Sequence, residues 1–343
     1  MKIKILFFVI YSLLAGYTYA NTVCPHTPTD AYQGHLSIMS KYDPNDPTRS
    51  QPSTPDPESE LIQEHLNKFA FYISRISDYY VSSSDTRKQQ IALNCMDIWL
   101  ELWASRNALE TSDISHTGYA VRSWFISTIA SSIFKTQQQS DHSWEPSANA
   151  QGWIRQLMYD NISYYYPRTF TSQEKVNNHD YWAAWAAAAT GLVTSDRDLT
   201  DWAYSVLVFS LDQAEKDPTT DTAYFPNEIG RGQLSSFYSH FALTPIVMLA
   251  STLPDKGYTL HQEQHQKLTQ LSEFTSAFTL TPSRFAHLNS IPQNNFSGSA
   301  LYWSKIHNIK FTNSQSTILL EDKYSNIINP MPQIGGNIIS TFE

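Results

Sequence analysis

Four polar side chains in two short segments of this 343-residue chain could together remove a proton from carbon. Asn178 and His179 are adjacent in a run that opens an apolar helix, and they supply an amide and an imidazole. Arg231 and Tyr238 supply a guanidinium and a phenol, seven residues apart. If that second segment is helical, seven residues are two turns, so both side chains can face one cleft.

The types of these groups suit a proton transfer beside a carboxylate. A guanidinium close to the Tyr238 phenol favours the phenolate and lowers a pKa that is normally about 10. Such a tyrosine can accept a proton and later return it, while Asn178 and His179 hold a carboxylate oxygen by hydrogen bonds. The set fits β-elimination of a uronic acid, whose C5 proton is weakly acidic until its carboxylate is neutralised.

Each residue also has a structural interpretation. Asn177 or Asn178 could cap the helix that begins near His179, and His179 could be an interior histidine or the partner of its neighbour. Tyr238 could be a core residue whose hydroxyl bonds to backbone, and Arg231 could be a surface cation. For each residue considered alone, the structural role is favoured over the catalytic one. Only the four residues together indicate a functional site.

The N-terminus predicts export. Lys2 and Lys4 precede an apolar run over residues 5–15, and small residues follow up to Ala20. This pattern is typical of a secretory signal over residues 1–20 that is cleaved after Ala20, so we expect a periplasmic or secreted protein. The run is shorter than the about 20 residues that a membrane span requires, so no membrane insertion is expected after cleavage.

Two cysteines and an acidic composition give further predictions about covalent structure and binding partners. Cys24 and Cys95 are the only cysteines, and in an oxidising compartment such a pair predicts a disulfide, with two unpaired buried thiols as the alternative. The formal net charge is −9, which argues against nucleic acid as a partner.

Helical patterns dominate the rest of the chain and predict one all-α domain over residues 21–343. Residues 43–57 hold five prolines and predict an irregular loop, after which Asp56 caps a helix with Pro57 in its first turn. Apolar residues then recur at spacings of three and four in successive segments joined by short turns, as in antiparallel helix hairpins. Strand signals are confined to residues 317–320 and 338–340.

Several other residues are candidates for the cleft. Trp182 and Trp185 have the spacing of a core stripe; we assign Trp185 to the core and keep Tyr181 and Trp182 as possible sugar-binding residues. Arg122 and His240 are candidates for additional subsites. His179 and Asp180 have no third ligand at helical spacing, so we expect no metal and no cofactor.

Four segments resemble one family. Residues 177–185 read NNHDYWAAW and are similar to the NNHSYWAAW segment of the family 5 polysaccharide lyases, the mannuronate-specific alginate lyases. Residues 225–228, read FPNE and followed by Arg231 and Tyr238, resemble that family's LPNE…R…Y run. Residues 40–42, with Asp46 and Arg49, resemble its SKYEGSD…R segment, and residues 334–337 its closing LGGN run.

The resemblance implies an incomplete (α/α) toroid of antiparallel helix hairpins whose deep cleft binds an anionic uronic-acid polysaccharide, alginate or polymannuronate. It implies that Asn178, His179 and Arg231 neutralise the C5 carboxylate and that Tyr238 is both base and acid, since the C5 proton and the C4 oxygen lie on one side. The loop around residues 38–57 would be a lid that carries Tyr42 over the sugar. Two cations of this loop, Lys41 and Arg49, would bind substrate carboxylates. The product would carry a 4,5-unsaturated uronic end, and we expect a monomer.

The chain also departs from the family pattern, and two other functions stay open. Asp180 stands where relatives have serine, which adds negative charge beside His179. A non-catalytic polysaccharide-binding protein on the same scaffold would not need Tyr238. A helical-toroid glycoside hydrolase would need two facing acids, for which Asp160, Asp180 and Glu228 are the candidates.

Overall fold

Helices form most of the described chain. The computed structural model describes residues 24–140, 143–172, 176–295, 297–311 and 314–343, so the predicted signal peptide lies outside the described residues. The α-helices are α1 Pro57–Ser82, α2 Thr86–Ala104, α3 His116–Gln139, α4 Ala148–Thr171, α5 Asn178–Thr194, α6 Arg197–Asp212, α7 Pro226–Ile229, α8 Ser235–Thr252, α9 Gln262–Leu280, α10 Trp303–Lys310 and α11 Gln315–Tyr324. Two short strands, β1 Glu215–Lys216 and β2 Ala223–Tyr224, pair antiparallel.

Short polar side chains fix where many of these helices begin. Asp56 accepts from the backbone N–H of Ser59 at the start of α1, with Pro57 in the first turn, as the sequence predicts. Side-chain acceptors cap six further helices in the same way: Asp85, Ser115, Ser147, Asn177, Asp196 and Ser314. These caps satisfy backbone donors that the first helical turn leaves without a partner.

Helix α5 lies at the centre of the packing. It contacts α3, α4, α6 and α8, and its alanine run over residues 186–189 is fully buried, so neighbouring backbones approach closely. Trp185 is in the core, as predicted, and its indole N–H donates to Ser131 of α3 at 2.9 Å. Consecutive helices pack in pairs, α1 with α2, α3 with α4 and α5 with α6. The predicted all-α fold is confirmed.

Both predictions of strands are wrong. The predicted strand at 317–320 lies in α11, because Ser314 caps a helix by accepting from the N–H of Thr317, and residues 339–341 form a 3-10 turn. No pattern in the sequence predicted the pairing of β1 with β2. Helix α4 continues for four residues beyond Pro167, whose missing N–H removes one backbone hydrogen bond.

The C-terminal segment is anchored in the bundle by a buried lysine. The ammonium of Lys135, in α3, donates to the carboxylate of Asp78 in α1 and to the carbonyl of Gly335. The N–H of Asn337 donates to the same Asp78 carboxylate at 2.9 Å. At Gly336, whose φ is +80°, a Cβ would come within 2.6 Å of Asp78, so this position requires glycine.

The disulfide predicted between Cys24 and Cys95 is present, with an S–S distance of 2.06 Å and a Cα–Cα distance of 5.7 Å. It joins the N-terminal segment to the buried face of α2, across 71 positions of sequence. The loop that it closes is long, so the bond restricts the unfolded chain considerably.

We expect replacement of both cysteines by serine (Cys24→Ser/Cys95→Ser) to lower the free energy of unfolding by about 4 kcal/mol, from the entropy of closing such a loop. Urea denaturation followed by tryptophan fluorescence measures the change. The reduced wild-type protein is the control and should unfold at the midpoint of the double variant. A loss below about 1 kcal/mol would show that the long-loop argument does not hold here.

Candidate active site

The predicted catalytic residues share one cavity of about 530 Å³. Residues from both halves of the sequence line it, and seven of them were predicted from the sequence: Lys41, Tyr42, Arg49, Asn178, His179, Arg231 and Tyr238. The cavity lies where the loop at 38–57 meets the first turns of α3, α5 and α8.

The start of α5 positions Asn178 and His179. Asn177 is the cap, as one of the two asparagines was expected to be, and its side-chain oxygen accepts from the N–H of His179 at 2.9 Å. Asp180 completes a capping box by accepting from the N–H of Asn177 at 3.0 Å. The helix therefore begins with its first two side chains at the cavity wall.

The charge of Asp180 is neutralised within the protein. Arg168, at the end of α4, binds Asp180 through two hydrogen bonds, Nε to Oδ1 at 3.0 Å and Nη2 to Oδ2 at 2.8 Å. The carboxylate is fully buried and does not line the cavity. The negative charge that replaces the family's serine is thus paired with a cation and does not face a bound anion directly.

Glu228 of α7 fixes the side chain of Asn178. Its carboxylate is fully buried, and it accepts from the backbone N–H of Asn178 at 2.7 Å and from the side-chain Nδ2 at 3.0 and 3.1 Å. Burial raises the pKa of Glu228, and the hydrogen bonds from Asn178 oppose that shift. The amide nitrogen of Asn178 thus faces Glu228, and the Asn178 oxygen has no partner among the described residues.

Tyr238 and Arg231 are stacked against each other. The guanidinium carbon of Arg231 is 3.8 Å from the centre of the Tyr238 ring, and the Tyr238 hydroxyl donates to the hydroxyl of Tyr42 at 2.7 Å. The spacing argument assumed that both residues lie in one helix, but they do not. A 3-10 turn at Gly232–Leu234 separates Arg231 from α8, and this turn brings the two side chains together.

The loop predicted to be a lid lines the cavity with residues 39–44 and Arg49. Tyr42 pairs with Pro52 as an isolated bridge, and Asp46 closes the loop by accepting backbone N–H bonds, among them those of Ser50 at 2.7 Å and Gln51 at 2.8 Å. Arg231 Nη2 donates to the carbonyl of Arg49 at 2.9 Å. The loop is therefore irregular, as predicted. It contacts Arg231 through the carbonyl of Arg49 and Tyr238 through the hydroxyl of Tyr42.

The pKa of Tyr238 differs in direction from the sequence-based expectation. Burial raises it above the ordinary value of 10, and this effect exceeds the opposing effect of Arg231. Burial, together with the cations nearby, lowers the pKa of His179 to about 3. In the free site the phenol therefore holds its proton and the imidazole is neutral at physiological pH.

Four buried polar atoms at this cavity have no hydrogen-bond partner among the described residues. They are Asn178 Oδ1, His179 Nδ1, Arg231 Nε and Trp124 Nε1. Leaving such atoms unsatisfied costs free energy, so they are groups that a bound ligand would satisfy. Arg231 and one tautomer of His179 offer N–H donors to an anion, whereas Asn178 offers an acceptor to a hydroxyl.

Four candidates from the sequence do not line the cavity. Tyr181 and Trp182 are buried in the core, the first on Phe225 and the second on Phe241, because helix α5 is surrounded on all sides. The predictions that these two bind sugar are not supported by their positions.

The remaining two of these candidates are also interior. Arg122 is buried, and its Nε donates to Asn161 at 2.6 Å within the α3–α4 pair. His240 is fully buried, accepts from the indole N–H of Trp303 at 2.9 Å and lies 2.7 Å from the hydroxyl of Thr279. Both side chains make hydrogen bonds with other interior residues and do not line the cavity, so their positions do not support a role in binding additional sugar units.

Sequence reasoning missed other residues of the cavity wall. His116 opens α3, and its ring centre is 5.3 Å from that of His179. Trp124 lies about two turns further along α3. Its ring makes an edge contact with the ring of His179, with 5.7 Å between the ring centres. Both histidines lie in the first turn of a capped helix, so attention to this position would have identified His116 as well.

The charge of the cavity wall suits an anion. Its described lining carries the cations Lys41, Arg49 and Arg231 and a single carboxylate, that of Asp43. Of the acids considered for hydrolysis, Asp180 is bound by Arg168, Glu228 by Asn178, and Asp160 accepts from Gln156 at 3.0 Å. No two of them face each other across the cavity.

Among the described residues, no group of three or more histidine, cysteine or acidic side chains is placed to hold a metal ion. No helix within them has the combination of length and apolar character needed to cross a bilayer.

Comparison with known proteins gives one consistent family. The family model described as "Alginate lyase" matches residues 29–285. An alginate lyase of Pseudomonas fluorescens strain Pf-5 is 30% identical over 274 residues, covering 76% of this chain and 69% of that protein. An alginate lyase of Cobetia marina is 31% identical over 277 residues, covering 76% of this chain and 68% of that protein.

Solved structures agree in fold. Alginate lyase A1-III from Sphingomonas species A1 superposes with a TM-score of 0.72 at 18% identity, covering 93% of this chain and 86% of that chain. A tyrosine-to-phenylalanine variant of alginate lyase A1-III complexed with a tetrasaccharide gives a TM-score of 0.74 at 19% identity, with the same coverage. The (α/α) toroid is thereby confirmed.

Proposed function

Because this chain belongs to the alginate lyase family and is a polysaccharide lyase, we propose that it cleaves mannuronate-rich alginate by β-elimination, with Tyr238 as the residue that moves the proton. The family implies an alginate substrate; the preference for mannuronate and the roles of individual residues are the proposed parts.

One observation carries the proposal: a phenol, a guanidinium, an imidazole and an amide meet at one cavity. His179 and Asn178 open α5, Tyr238 is in the first turn of α8, and Arg231 precedes the 3-10 turn before α8. All four line the cavity, and the atoms of Asn178, His179 and Arg231 that lack a partner in the described part of the chain are available to a ligand there. Positioned donors at the place where negative charge develops are the usual basis of such catalysis.

The proposed reaction proceeds in two proton transfers. The substrate carboxylate binds the N–H donors of Arg231 and His179, which stabilises the negative charge that spreads onto it as the C5 proton leaves. In the fraction of molecules in which Tyr238 is deprotonated, the phenolate removes that proton, the C5–H electrons form the C4=C5 double bond, and the C4–O4 bond breaks. Tyr238 then returns the proton to O4 and is again the phenolate with which the cycle began.

Asn178 and Tyr42 assist in different ways. Held by Glu228, Asn178 presents its oxygen as an acceptor, so we assign it to a sugar hydroxyl and not to the carboxylate. In the free site the Tyr238 hydroxyl donates to Tyr42 at 2.7 Å, which favours the protonated phenol; once Tyr238 has lost its proton, the Tyr42 hydroxyl turns to donate to the phenolate. Lys41 and Arg49 of the lid are placed to bind carboxylates of neighbouring sugar units.

The proposal is tested by absorbance near 235 nm during incubation with polymannuronate. Elimination leaves a conjugated double bond and gives a rise in absorbance, whereas hydrolysis gives reducing ends without it. Polyguluronate is the parallel substrate, because its C5 configuration places the proton on the other face relative to the leaving oxygen. Binding without any chemistry on either polymer would instead support the non-catalytic protein.

The pH dependence should follow the ionisation of Tyr238. Since the pKa of Tyr238 is raised above 10, the phenolate fraction grows with pH throughout the accessible range, and we expect kcat/KM to rise between about pH 7 and pH 9, by up to about tenfold per unit. The pKa of His179, about 3, lies outside this range and should add no inflection near pH 6.5.

Initial rates at constant ionic strength measure this profile, with circular dichroism at each pH as the check that the fold is intact. A flat profile over the same two units would mean that the base is a different group, or that Tyr238 loses its proton only after substrate binds.

Export to the periplasm or the medium, and a monomeric state, are further parts of the proposal. The positively charged and apolar N-terminal segment supports export, and the disulfide suits an oxidising compartment. Mass spectrometry of protein released from a Gram-negative host by osmotic shock should find an N-terminus at Asn21. Light scattering after gel filtration measures the mass in solution.

A further inference from the structure

The cleft continues beyond the catalytic cavity on the side of Trp124. A second cavity of about 300 Å³ adjoins the first, and Gln63, Trp124 and Gln333 line both. We call this second cavity the side arm. Its volume is at the lower end of the range for ligand pockets, about 300–1,000 Å³, so it has room for one sugar unit.

The side arm differs from the catalytic cavity in charge. Its described lining contains no charged residue, whereas the catalytic cavity has Lys41, Arg49 and Arg231. Hydrogen-bonding groups are present instead: the amides of Gln63, Asn67 and Gln333 and the hydroxyl of Thr128. Every sugar unit of an alginate carries a carboxylate. A site that bound this carboxylate by charge would need a cation, and the described lining of the side arm has none.

Three aromatic residues, Phe71, Trp124 and the buried Phe125, line the side arm, and the first two are considered as sugar contacts. Phe71, in α1, is 46% exposed, which is high for a phenylalanine that borders a cavity. Trp124 separates the two cavities, and its indole N–H has no partner among the described residues. An aromatic face packs well against the apolar face of a pyranose ring, and amide groups bond the hydroxyls at its edge.

We propose that the side arm is a subsite that holds one sugar unit of the polysaccharide by contact with Phe71 and Trp124 and by amide hydrogen bonds, without pairing the carboxylate of that unit with a cation. The inference rests on the proposed function and adds a specificity to it. The enzyme tolerates an uncharged sugar at this one position, while the position at Arg231 requires a uronate.

The test is a series of oligomannuronates of two to six units, assayed at 235 nm in low and high salt. At the length that first fills the side arm, kcat/KM should rise about tenfold, the size expected from one good aromatic contact with its hydrogen bonds. The rise should be equal in both salt concentrations, because screening weakens charge pairs and leaves stacking unchanged. It should also persist when the carboxyl of the terminal unit in the arm is reduced to the alcohol.

Phe71→Ala should reduce that step to below about threefold. The matched control is Leu61→Ala in the same helix, because Leu61 is 67% exposed and borders neither cavity; it should keep the full step. A full step in Phe71→Ala overturns the proposal. So does a step that disappears in high salt or with the reduced terminal unit, which would assign the carboxylate to a cation such as Arg75, whose guanidinium carbon is 5.7 Å from the centre of the Phe71 ring.

The same series measured by calorimetric binding to Tyr238→Phe separates this inference from the proposed function. If the wild-type protein gives no absorbance change with any oligomer, the lyase mechanism fails, yet the affinity step with length still tests the side arm. The step should again be lost when Phe71→Ala is added.

Discussion

Replacing Tyr238 by phenylalanine should lower kcat on polymannuronate by at least about 1,000-fold, within the range that a positioned acid–base group contributes. The change removes one hydroxyl and keeps the ring, so the stacking of Arg231 on that ring at 3.8 Å should persist. Substrate affinity should change little, because the groups that bind the carboxylate are on other residues. Stopped assays at 235 nm and calorimetric binding of an oligomannuronate measure the two effects separately.

Tyr258→Phe is the control for this variant. Tyr258 also loses a bonded hydroxyl, since it donates to Asp201 at 2.6 Å, but it does not border the cavity. Its kcat should stay within about twofold of wild type, the scale of a surface substitution. If Tyr238→Phe kept a tenth or more of the wild-type turnover, the neutral His179 would become the leading candidate for the base.

The second large effect is expected at the buried ion pair between Arg168 and Asp180, next to the start of α5. Arg168→Met should lower the free energy of unfolding by about 3–5 kcal/mol, because it leaves the Asp180 carboxylate buried without its cation. Asp180 also completes the capping box of α5, so the variant should lose turnover as His179 becomes less well positioned. Urea denaturation and the absorbance assay follow the two losses.

Two companions make this prediction specific. Adding Asp180→Ala to Arg168→Met removes the unpaired charge and should recover part of the stability, at the cost of the capping bond. Arg197→Met breaks the exposed pair with Asp201, where the groups are 3.7 Å apart, and should cost at most about 1 kcal/mol. Equal stability losses in Arg168→Met and Arg197→Met would contradict the role given to burial.

The sequence predicted most of the catalytic cluster because its residues carry local signals. Asn177 and Asn178 precede an apolar helix, and a cap with its neighbours can be recognised from a few residues. The helix-start signal places His179 reliably at a surface or cavity. By contrast, the approach of Arg231 to Tyr238 depends on a 3-10 turn, so the predicted closeness was right although the helical reason for it was wrong.

The errors at Tyr181, Trp182, Arg122 and His240 have a common cause. Each is a large polar or amphipathic side chain on a helix that is covered on all sides, and helical spacing does not show how many neighbours a helix has. The raised pKa of Tyr238 has a similar origin, because the extent of burial depends on tertiary contacts that spacing does not reveal. Glu228 could not be assigned for the same reason: its partner Asn178 is 50 positions away.

The anchoring of Lys135 by Asp78 and Gly335 bears on how the molecule assembles. The partners of this ammonium are 57 and 200 positions distant, so the ion is enclosed only after nearly the entire polypeptide has emerged. Contacts of such long range form late, since loop closure must precede them. A chain that ends before Gly335 would leave the Lys135 ammonium between α1 and α3 with Asp78 but without its second acceptor.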